Sequence, residues 1–255
     1  MSMVFSARDV SCTVGGRRGD VGQADGRSDG GVSDRTIFSG ISFAIDEGQI
    51  VDLTGPSGSG KTSLLTAFAR LNPNAHGTFM LDGRDASEFT VQQWRRAVAY
   101  LPQKPVLIGE RVADVIRLPF TLAVRRERER SWSRRLRSLL HDVAPTYPSD
   151  DDIRAALDAV GCDDIELTRS PHELSGGQAA RVSLIRTLMT KPRMLLADEV
   201  DAGLDDDNAE KVARIMAHAA GNGMAVVRIR HRPPDGHASR IIELAHGELH
   251  ERTLA

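Results

Sequence analysis

A glycine-rich loop between a short apolar stretch and a run of apolar residues at helical spacing constrains the fold of this chain most. The loop reads Gly55-Pro56-Ser57-Gly58-Ser59-Gly60-Lys61-Thr62. Before it, residues 50–53 are mostly apolar and predict a strand, and after it the helical positions are Leu64, Leu65, Phe68 and Leu71. A strand, a G-x-x-x-x-G-K-[ST] loop and a helix in this order are typical of phosphate binding. The sequence therefore predicts an α/β fold with an anion site at the end of this strand.

The residue types in the loop suit a nucleoside triphosphate and its metal ion. Glycines let successive backbone N–H groups turn toward phosphate oxygens, and Lys61 adds a positive charge for the β- and γ-phosphates. Thr62 offers its hydroxyl to Mg²⁺, a hard cation that prefers oxygen ligands. We place residues 55–62 together with Ser63 in the candidate nucleotide-binding set.

The rest of the chain alternates strand and helix patterns. Met194–Ala197 is a run of four apolar residues, which favours a strand buried on both faces of a parallel sheet, and Met224–Ile229 is expected to be a further strand. Val182–Met189 and Asn208–Ala220 have helical patterns and are expected to be crossover helices. We therefore expect a core of the type found in phosphate-loop nucleotide hydrolases.

We expect a single domain over residues 1–255, with two additions to its α/β core. An antiparallel β subdomain is expected near the N-terminus, where Val4–Val10 and Ile37–Ile45 show partial alternation. A helical subdomain over about residues 110–189 is expected to interrupt the core. The core itself would then comprise two stretches, about residues 1–109 and 190–255.

Two carboxylates follow the strand predicted at 194–197. Asp198 and Glu199 would lie at its carboxyl end, where open α/β sheets bind ligands. We assign Asp198 to the metal ion and Glu199 to the base that activates water. An acidic pair that ends a strand is by itself more often a solvated terminus, and the phosphate-binding loop decides between these two interpretations.

A second helix start also suits an anion. Leu174-Ser175-Gly176-Gly177-Gln178 places Ser175 as an N-cap and leaves glycine amides accessible. With residues 55–62 and the acidic pair, this element resembles the nucleotide-binding subunit of ABC transporters, and the resemblance extends from Val4 to about Leu249.

The resemblance implies further site residues and partners. Gln103 would reach Mg²⁺ and the γ-phosphate, His231 would contact the γ-phosphate, and Asp205 would touch the opposite subunit. Two copies would hold two ATP molecules between them, each copy contributing Ser175, Gly176, Gly177 and Gln178 to its partner's nucleotide. A separate integral-membrane permease is implied, with this chain cytoplasmic and peripheral on the inner face of the cell membrane.

Three positions depart from the family's pattern. Val14 lies where the family usually has an aromatic residue that stacks on adenine, so we expect weak discrimination between ATP and GTP. Val200 stands where proline is common. His231 lies between two arginines, Arg230 and Arg232, instead of between a small hydroxyl residue and an acid.

Composition excludes several other classes. Lys plus Arg number 33 against 35 Asp plus Glu, and the net charge of -2 gives no bulk electrostatic reason to expect nucleic acid as a partner. Cys12 and Cys162 stand alone, which disfavours a zinc site or a disulfide scaffold. No apolar run approaches the ~18 residues of a membrane span.

Two polar segments are expected to lie outside the packed core. Residues 15–35 hold seven glycines and mixed charges, which predicts a mobile loop. Residues 117–137 hold eight arginines, interpreted as a solvated helix face. The alternative for the arginines is contact with anionic lipid or with the permease.

A narrower resemblance and two alternatives remain at this stage. Residues 100–120 and 183–186 resemble the small ATPases of two-component exporters linked to iron or other metal efflux. The same motifs suit an importer ATPase. They also suit a soluble ABC ATPase of an assembly system, such as iron–sulfur cluster biogenesis.

Overall fold

The computed structural model describes residues 2–14, 35–122, 147–158 and 161–252. Within these ranges the strands are β1 (Met3–Val14), β2 (Arg35–Asp46), β3 (Ile50–Thr54), β4 (Ala75–Leu81), β5 (Arg84–Asp85), β6 (Val98–Leu101), β7 (Met194–Asp198), β8 (Ala225–Ile229), β9 (Arg240–Ala245) and β10 (Glu248–Arg252). The α-helices are α1 (Lys61–Phe68), α2 (Val91–Ala97), α3 (Val112–Thr121), α4 (Asp150–Asp158), α5 (Gly176–Leu188) and α6 (Asp206–Gly221).

One sheet is mainly parallel and positions the candidate site. Its strand order is β10-β9-β3-β8-β7-β6, and every neighbouring pair is parallel except β9 and β10. The side chains of β7 and β8 are buried on both faces, because helices or a second sheet cover each side. Gly55, Gln103, Glu199 and His231 all lie just beyond the carboxyl ends of these strands, at the same edge. The predicted α/β fold with a parallel sheet is confirmed.

The second sheet is antiparallel, which confirms the predicted β subdomain. Its order is β2-β1-β4-β5. β1 and β2 are both longer than the sequence pattern indicated, and Val14 pairs with Arg35 at their far ends. The predicted mobile loop 15–35 lies outside the described residues except for Arg35.

An aromatic cluster joins the two sheets through α1. Phe5 from β1 lies 5.1 Å from Phe68 of α1, measured between ring centroids, and Phe43 of β2 lies 5.2 Å from Phe68. Trp94 of α2 is fully buried and donates its indole N–H to the Phe68 carbonyl at 2.8 Å. The indole thus keeps a hydrogen-bond partner inside an apolar core. This packing fixes α1, and with it the loop that leads into α1.

The other face of the parallel sheet is covered by helices α3, α4, α5 and α6. Their buried apolar residues form one cluster with the sheet, and it includes Ile116, Leu157, Val182, Leu195, Ile215 and Val226. α3, α4 and α5 all lie inside the segment 110–189 that was predicted to be a helical subdomain, and α5 is its last helix. The division into core and subdomain stays a prediction.

Arg117 differs from the solvated position expected for the arginine-rich segment. Its Nε donates to the Pro148 carbonyl at 2.9 Å, and its guanidinium pairs with Asp150 at 2.5 Å. Arg117 therefore joins α3 to the chain that enters α4. Residues 123–137 of the arginine-rich segment lie outside the described residues.

Candidate functional site

The loop between β3 and α1 has a positive φ at three glycines, Gly55, Gly58 and Gly60, and two of these also have a close neighbour. Gly60 is the N-cap of α1 with φ 100°, and a Cβ there would lie 2.5 Å from the Ile37 side chain. Gly55 has φ 137°, and a Cβ there would collide with the Leu244 carbonyl. Both positions combine a left-handed backbone with a close neighbour, so side chains larger than hydrogen are excluded. The loop is thereby held close around the start of α1.

The donor groups in this loop fit a polyphosphate. The Lys61 side chain is buried, and its Nζ donates to the carbonyls of Gly55 and Pro56, each at 2.9 Å. An ammonium group has three N–H donors, so one remains for an anion. Ser59 Oγ is buried and has no hydrogen-bond partner among the described residues. A phosphate oxygen above the loop would satisfy both groups, and the start of α1 favours a negative charge there.

Thr62 and Asp198 meet at one point and offer oxygen ligands. Thr62 Oγ1 donates to Asp198 Oδ1 at 3.2 Å, and the Tyr100 hydroxyl donates to Asp198 Oδ2 at 2.8 Å. Burial raises the pKa of the Tyr100 phenol, and the hydrogen bond to Asp198 raises it further, so the phenol stays a donor. A hydroxyl beside a carboxylate is a donor set that fits Mg²⁺. Sequence reasoning missed Tyr100, because its role depends on β6 lying beside β7.

Glu199 lies between the two other predicted catalytic side chains. Gln103 Nε2 donates to Glu199 Oε2 at 2.9 Å. His231 Nε2 lies 2.8 Å from Glu199 Oε1. Glu199 also has a positive φ of 49°, a conformation that is uncommon for residues other than glycine and that recurs at functional sites. The structure thus brings Gln103, Glu199 and His231 together, with Glu199 at the centre.

A cavity of about 690 Å³ contains the loop and part of this group. Lys61, Thr62, Glu199 and His231 are among the residues that line it. This volume is in the usual range for small-molecule sites. Residues outside the loop and this group also line the cavity: Val14, Arg35, Thr36, Ile37, His246 and Gly247.

Residues 175–178 form a capped helix start at a different place. The Ser175 hydroxyl accepts from the Gln178 backbone N–H at 3.2 Å, and the Gln178 side chain accepts from the Ser175 N–H at 3.1 Å. This reciprocal arrangement is a capping box, so the N-cap predicted at Ser175 is confirmed. A Cβ on Gly176 would meet nothing within 4 Å. None of these residues lines the cavity within the described part of a single chain.

Asp205 caps α6. Its Oδ1 accepts from the Asn208 N–H at 2.8 Å, and its Oδ2 accepts from the Asn208 side-chain amide at 2.7 Å. These hydrogen bonds hold the pKa of Asp205 below its ordinary value, and the bond from the Asn208 backbone has the larger effect. The contact of Asp205 with an opposite subunit stays a prediction.

The arginines on either side of His231 bind residues that follow Glu199. Arg230 Nε donates to Asp201 Oδ2 at 3.0 Å. Arg232 donates to Asp206 Oδ1 at 2.6 Å and to the Leu204 carbonyl. Sequence reasoning noted both arginines as departures and did not identify these partners.

The remaining expectations concern cysteines, other metals and membrane spans. Cys12 and Cys162 are both buried and both are thiols instead of disulfides, and burial raises the pKa of Cys162 to about 11. No group of three or more His, Cys, Asp or Glu residues in the described ranges could hold a metal ion. Among the helices that the structure describes, none has the length and apolar character to cross a membrane.

Known proteins resemble this chain over most of its length. The model of the family described as ABC transporter matches residues 38–202. The probable iron export ATP-binding protein FetA of Escherichia coli is 31% identical over 222 residues, which cover 86% of this chain and 89% of that protein. The phosphate import ATP-binding protein PstB 2 of Natronomonas pharaonis is 34% identical over 226 residues, covering 87% of this chain and 76% of the relative.

A longer relative matches with only part of its length. The macrolide export ATP-binding/permease protein MacB of Campylobacter jejuni is 29% identical over 86% of this chain, and the match covers 32% of MacB. The chain therefore spans about a third of that relative. The family match, the two shorter relatives and the phosphate-binding loop lead to one conclusion: the chain belongs to the ABC transporter family and is an ATP-hydrolysing subunit of that family.

Proposed function

We propose that two copies of this chain bind ATP and Mg²⁺ between them and hydrolyse ATP to drive transport through a separate membrane permease. One observation carries the proposal. The phosphate-binding loop, Glu199 and His231 share a cavity, whereas the capped helix start at Ser175–Gln178 does not line it in a single chain. Two sets of anion-binding donors on one chain, apart from each other, are explained if each completes the site of a second copy.

The residues around the loop divide the chemistry among them. Lys61 and the loop amides bind the β- and γ-phosphates, and the Asp198 and Thr62 oxygens hold Mg²⁺. The metal ion, when bound, neutralises charge that develops on the transferred phosphoryl group. Glu199 accepts a proton from the attacking water, and Gln103 and His231 orient its carboxylate. A positioned base of this kind contributes about 10²–10⁴-fold to the rate.

The second copy contributes the start of α5. The amides of Gly176 and Gly177, with the Ser175 hydroxyl, are proposed to bind the γ-phosphate of the partner's nucleotide, and Gln178 keeps the helix start capped. Asp205 is close to this surface: it is hydrogen-bonded to Asn208, and Asn208 lies against Gly177. Closing the two copies excludes water and strengthens the electrostatic stabilisation of the reacting phosphate.

The proposed cargo is a metal ion, iron included, moved out of the cell. Two observations support this cargo. The match to the iron export relative covers 89% of that relative's length, and residues 100–120 have the narrower resemblance described above. The chain is proposed to act on the inner face of the cell membrane. Import is the second candidate, because the phosphate import relative has the higher identity, 34%.

Complementation between two inactive variants tests the shared site. Lys61→Ala removes the ammonium group. Gly176→Trp fills the open space above the start of α5, where no described residue other than the glycine's neighbours and the backbone of its own helix has an atom within 4 Å of a Cβ. We expect each variant alone to lose ATP hydrolysis. An equal mixture, refolded or co-expressed, should regain roughly a quarter of wild-type activity, since half of the dimers are mixed and each has one complete site.

Two results would contradict the proposal. Full activity of Gly176→Trp alone would mean that a single chain completes its own site, and the lack of any recovery in mixed dimers would argue against a shared one. Purification of tagged Glu199→Gln protein with Mg-ATP tests whether the partner is a membrane permease. A multispanning membrane protein in the complex supports transport, and a soluble scaffold complex in its place would favour an assembly function.

A further inference from the structure

The segment that carries His231 is fixed to its surroundings by arginines on both sides. We propose that Arg232 is a positioning residue, which keeps His231 against Glu199 by binding the end of the β7–α6 loop (residues 199–205) and the first turn of α6. This inference rests on the proposed function, because it takes His231 and Glu199 as parts of the hydrolytic site.

The side of His231 toward β8 is anchored by a buried charge network. Arg228, at 1% exposure, pairs with Asp52 of β3 at 2.5 Å and with Asp235 at 2.7 Å. Arg230, also buried, pairs with Asp235 at 2.6 Å and with Asp201 at 3.0 Å. Removing one partner of a buried pair leaves an uncompensated charge away from water, so this side cannot shift without a large cost.

The other side of His231 depends on Arg232. Its guanidinium donates to the Leu204 carbonyl and to Asp206 Oδ1, which lies 2.6 Å away. A guanidinium can bind a carbonyl and a carboxylate at once because its five donors are arranged in a rigid plane. A lysine ammonium in the same place would reach one of the two with defined geometry.

Arg230 and Arg232 together determine the distance between His231 and Glu199. The β7–α6 loop begins with Glu199, and Arg230 and Arg232 attach the His231 segment to Asp201 and to the end of that loop. His231 Nε2 then lies 2.8 Å from Glu199 Oε1. A displacement of about 1 Å at a reacting group can cost on the order of 10²-fold in rate. Loosening the Arg232 anchor should therefore act on turnover more than on nucleotide binding.

The test compares Arg232→Ala and Arg232→Lys with a matched control. Arg193→Ala removes an arginine of similar exposure, 34% against 28%, that pairs with Asp82 and lies at the opposite, amino-terminal end of β7. We expect Arg232→Ala to lower kcat for Mg-ATP about tenfold and to change KM by less than about twofold. Arg232→Lys should recover part of kcat, and Arg193→Ala should keep the wild-type value.

A second background separates positioning from a loss of stability. In a chain that already carries His231→Ala, Arg232→Ala should cause no further loss of kcat, because the arginine acts through the histidine. A further tenfold loss in that background, or wild-type kcat in Arg232→Ala, would overturn the inference while leaving the proposed function intact. Wild-type turnover in His231→Ala itself would instead remove His231 from the proposed site, and with it the role of Arg232.

Discussion

Val14 lines the cavity with a small aliphatic side chain, and we assign this position to the nucleobase. It is half exposed, at 50%, and pairs across β1 and β2 with Arg35. Among the described residues that line the cavity, none is Phe, Tyr or Trp. A base bound beside Val14 would have no Phe, Tyr or Trp ring at this position to stack on, and such stacking is worth ~1–3 kcal/mol per base in single-stranded nucleic acid recognition.

Nucleotide preference follows from this position. We expect the wild-type chain to hydrolyse GTP with a kcat/KM within about tenfold of its value for ATP, since stacking is the missing interaction and the triphosphate contacts are shared. Val14→Tyr should lower KM for both nucleotides by about five- to tenfold. Steady-state kinetics with each nucleotide measures both effects.

The control for this substitution is Val91→Tyr, which changes an exposed valine at the start of α2, away from the cavity. KM should not change in that variant. A strong preference of the wild-type chain for ATP, or an equal drop in KM in the control, would contradict the assignment of Val14 to the nucleobase.

Sequence reasoning identified residues whose role is local and missed those whose role depends on neighbouring strands. Lys61 and Thr62 are recognisable because the strand, loop and helix around them are contiguous. Tyr100 contacts Asp198, a residue 98 positions away, because β6 and β7 are adjacent in the sheet. The partners of Arg232 depend in the same way on where α6 begins relative to β8.

The start of α5 is held in place by its own capping box and by packing against Asn208 of α6. The Ser175 and Gln178 capping box satisfies backbone N–H groups at the helix start. The two glycines between them have opposite surroundings: a Cβ on Gly176 would meet nothing within 4 Å, and one on Gly177 would lie 2.8 Å from Asn208. Asn208 cannot move away freely, because Arg181 donates to its side chain at 2.8 Å.

These surroundings predict opposite effects of the same substitution on stability. Gly176→Ala should raise the free energy of unfolding by about 0.4–1 kcal/mol, because alanine lowers the entropy of the unfolded chain without a clash. Gly177→Ala should lower it by about 1–3 kcal/mol, since the methyl group overpacks against Asn208. Urea denaturation of the two variants measures the difference, and equal shifts would show that α5 and α6 separate more easily than the packing indicates.

The strands that are buried along their whole length were easier to predict from the sequence than those with partly exposed positions. β7 and β8 are mostly apolar strands buried at every position, and both were predicted close to their observed bounds. β9 and β10 were not predicted: β10 is the edge strand and β9 lies next to it, and both have half-buried or exposed positions and cross-strand pairs such as Arg240 with Glu251. Their polar positions conceal the strand pattern. Arg228 is likewise a charge that only its buried carboxylate partners make possible within β8.

At the scale of the whole molecule, the two helix starts that we propose to bind phosphate belong to different surfaces of one chain. The start of α1 faces the cavity, and the start of α5 does not line it. The proposed function links the assembly state to the catalytic state, because hydrolysis then requires both surfaces around one nucleotide.

This linkage predicts that specific activity depends on protein concentration. Phosphate release per chain should rise with concentration below the dimerisation constant and level off above it, because only the dimer has complete sites. Glu199→Gln should keep nucleotide binding, lose about 10²–10⁴-fold in turnover and elute as a dimer with Mg-ATP in size-exclusion chromatography. A concentration-independent specific activity with a monomeric Glu199→Gln protein would contradict the shared site.

The hydrogen bond between Tyr100 and Asp198 makes the protein its own optical probe. The phenol donates to the carboxylate proposed to hold Mg²⁺, so any change in that carboxylate's charge changes the field on a chromophore 2.8 Å away. The chain has 2 tyrosines and 2 tryptophans, so the Tyr100 signal is isolated by subtracting the response of a Tyr100→Phe variant. Near-ultraviolet difference spectra could therefore follow metal arrival in unlabelled protein, on the timescale of a stopped-flow mixer.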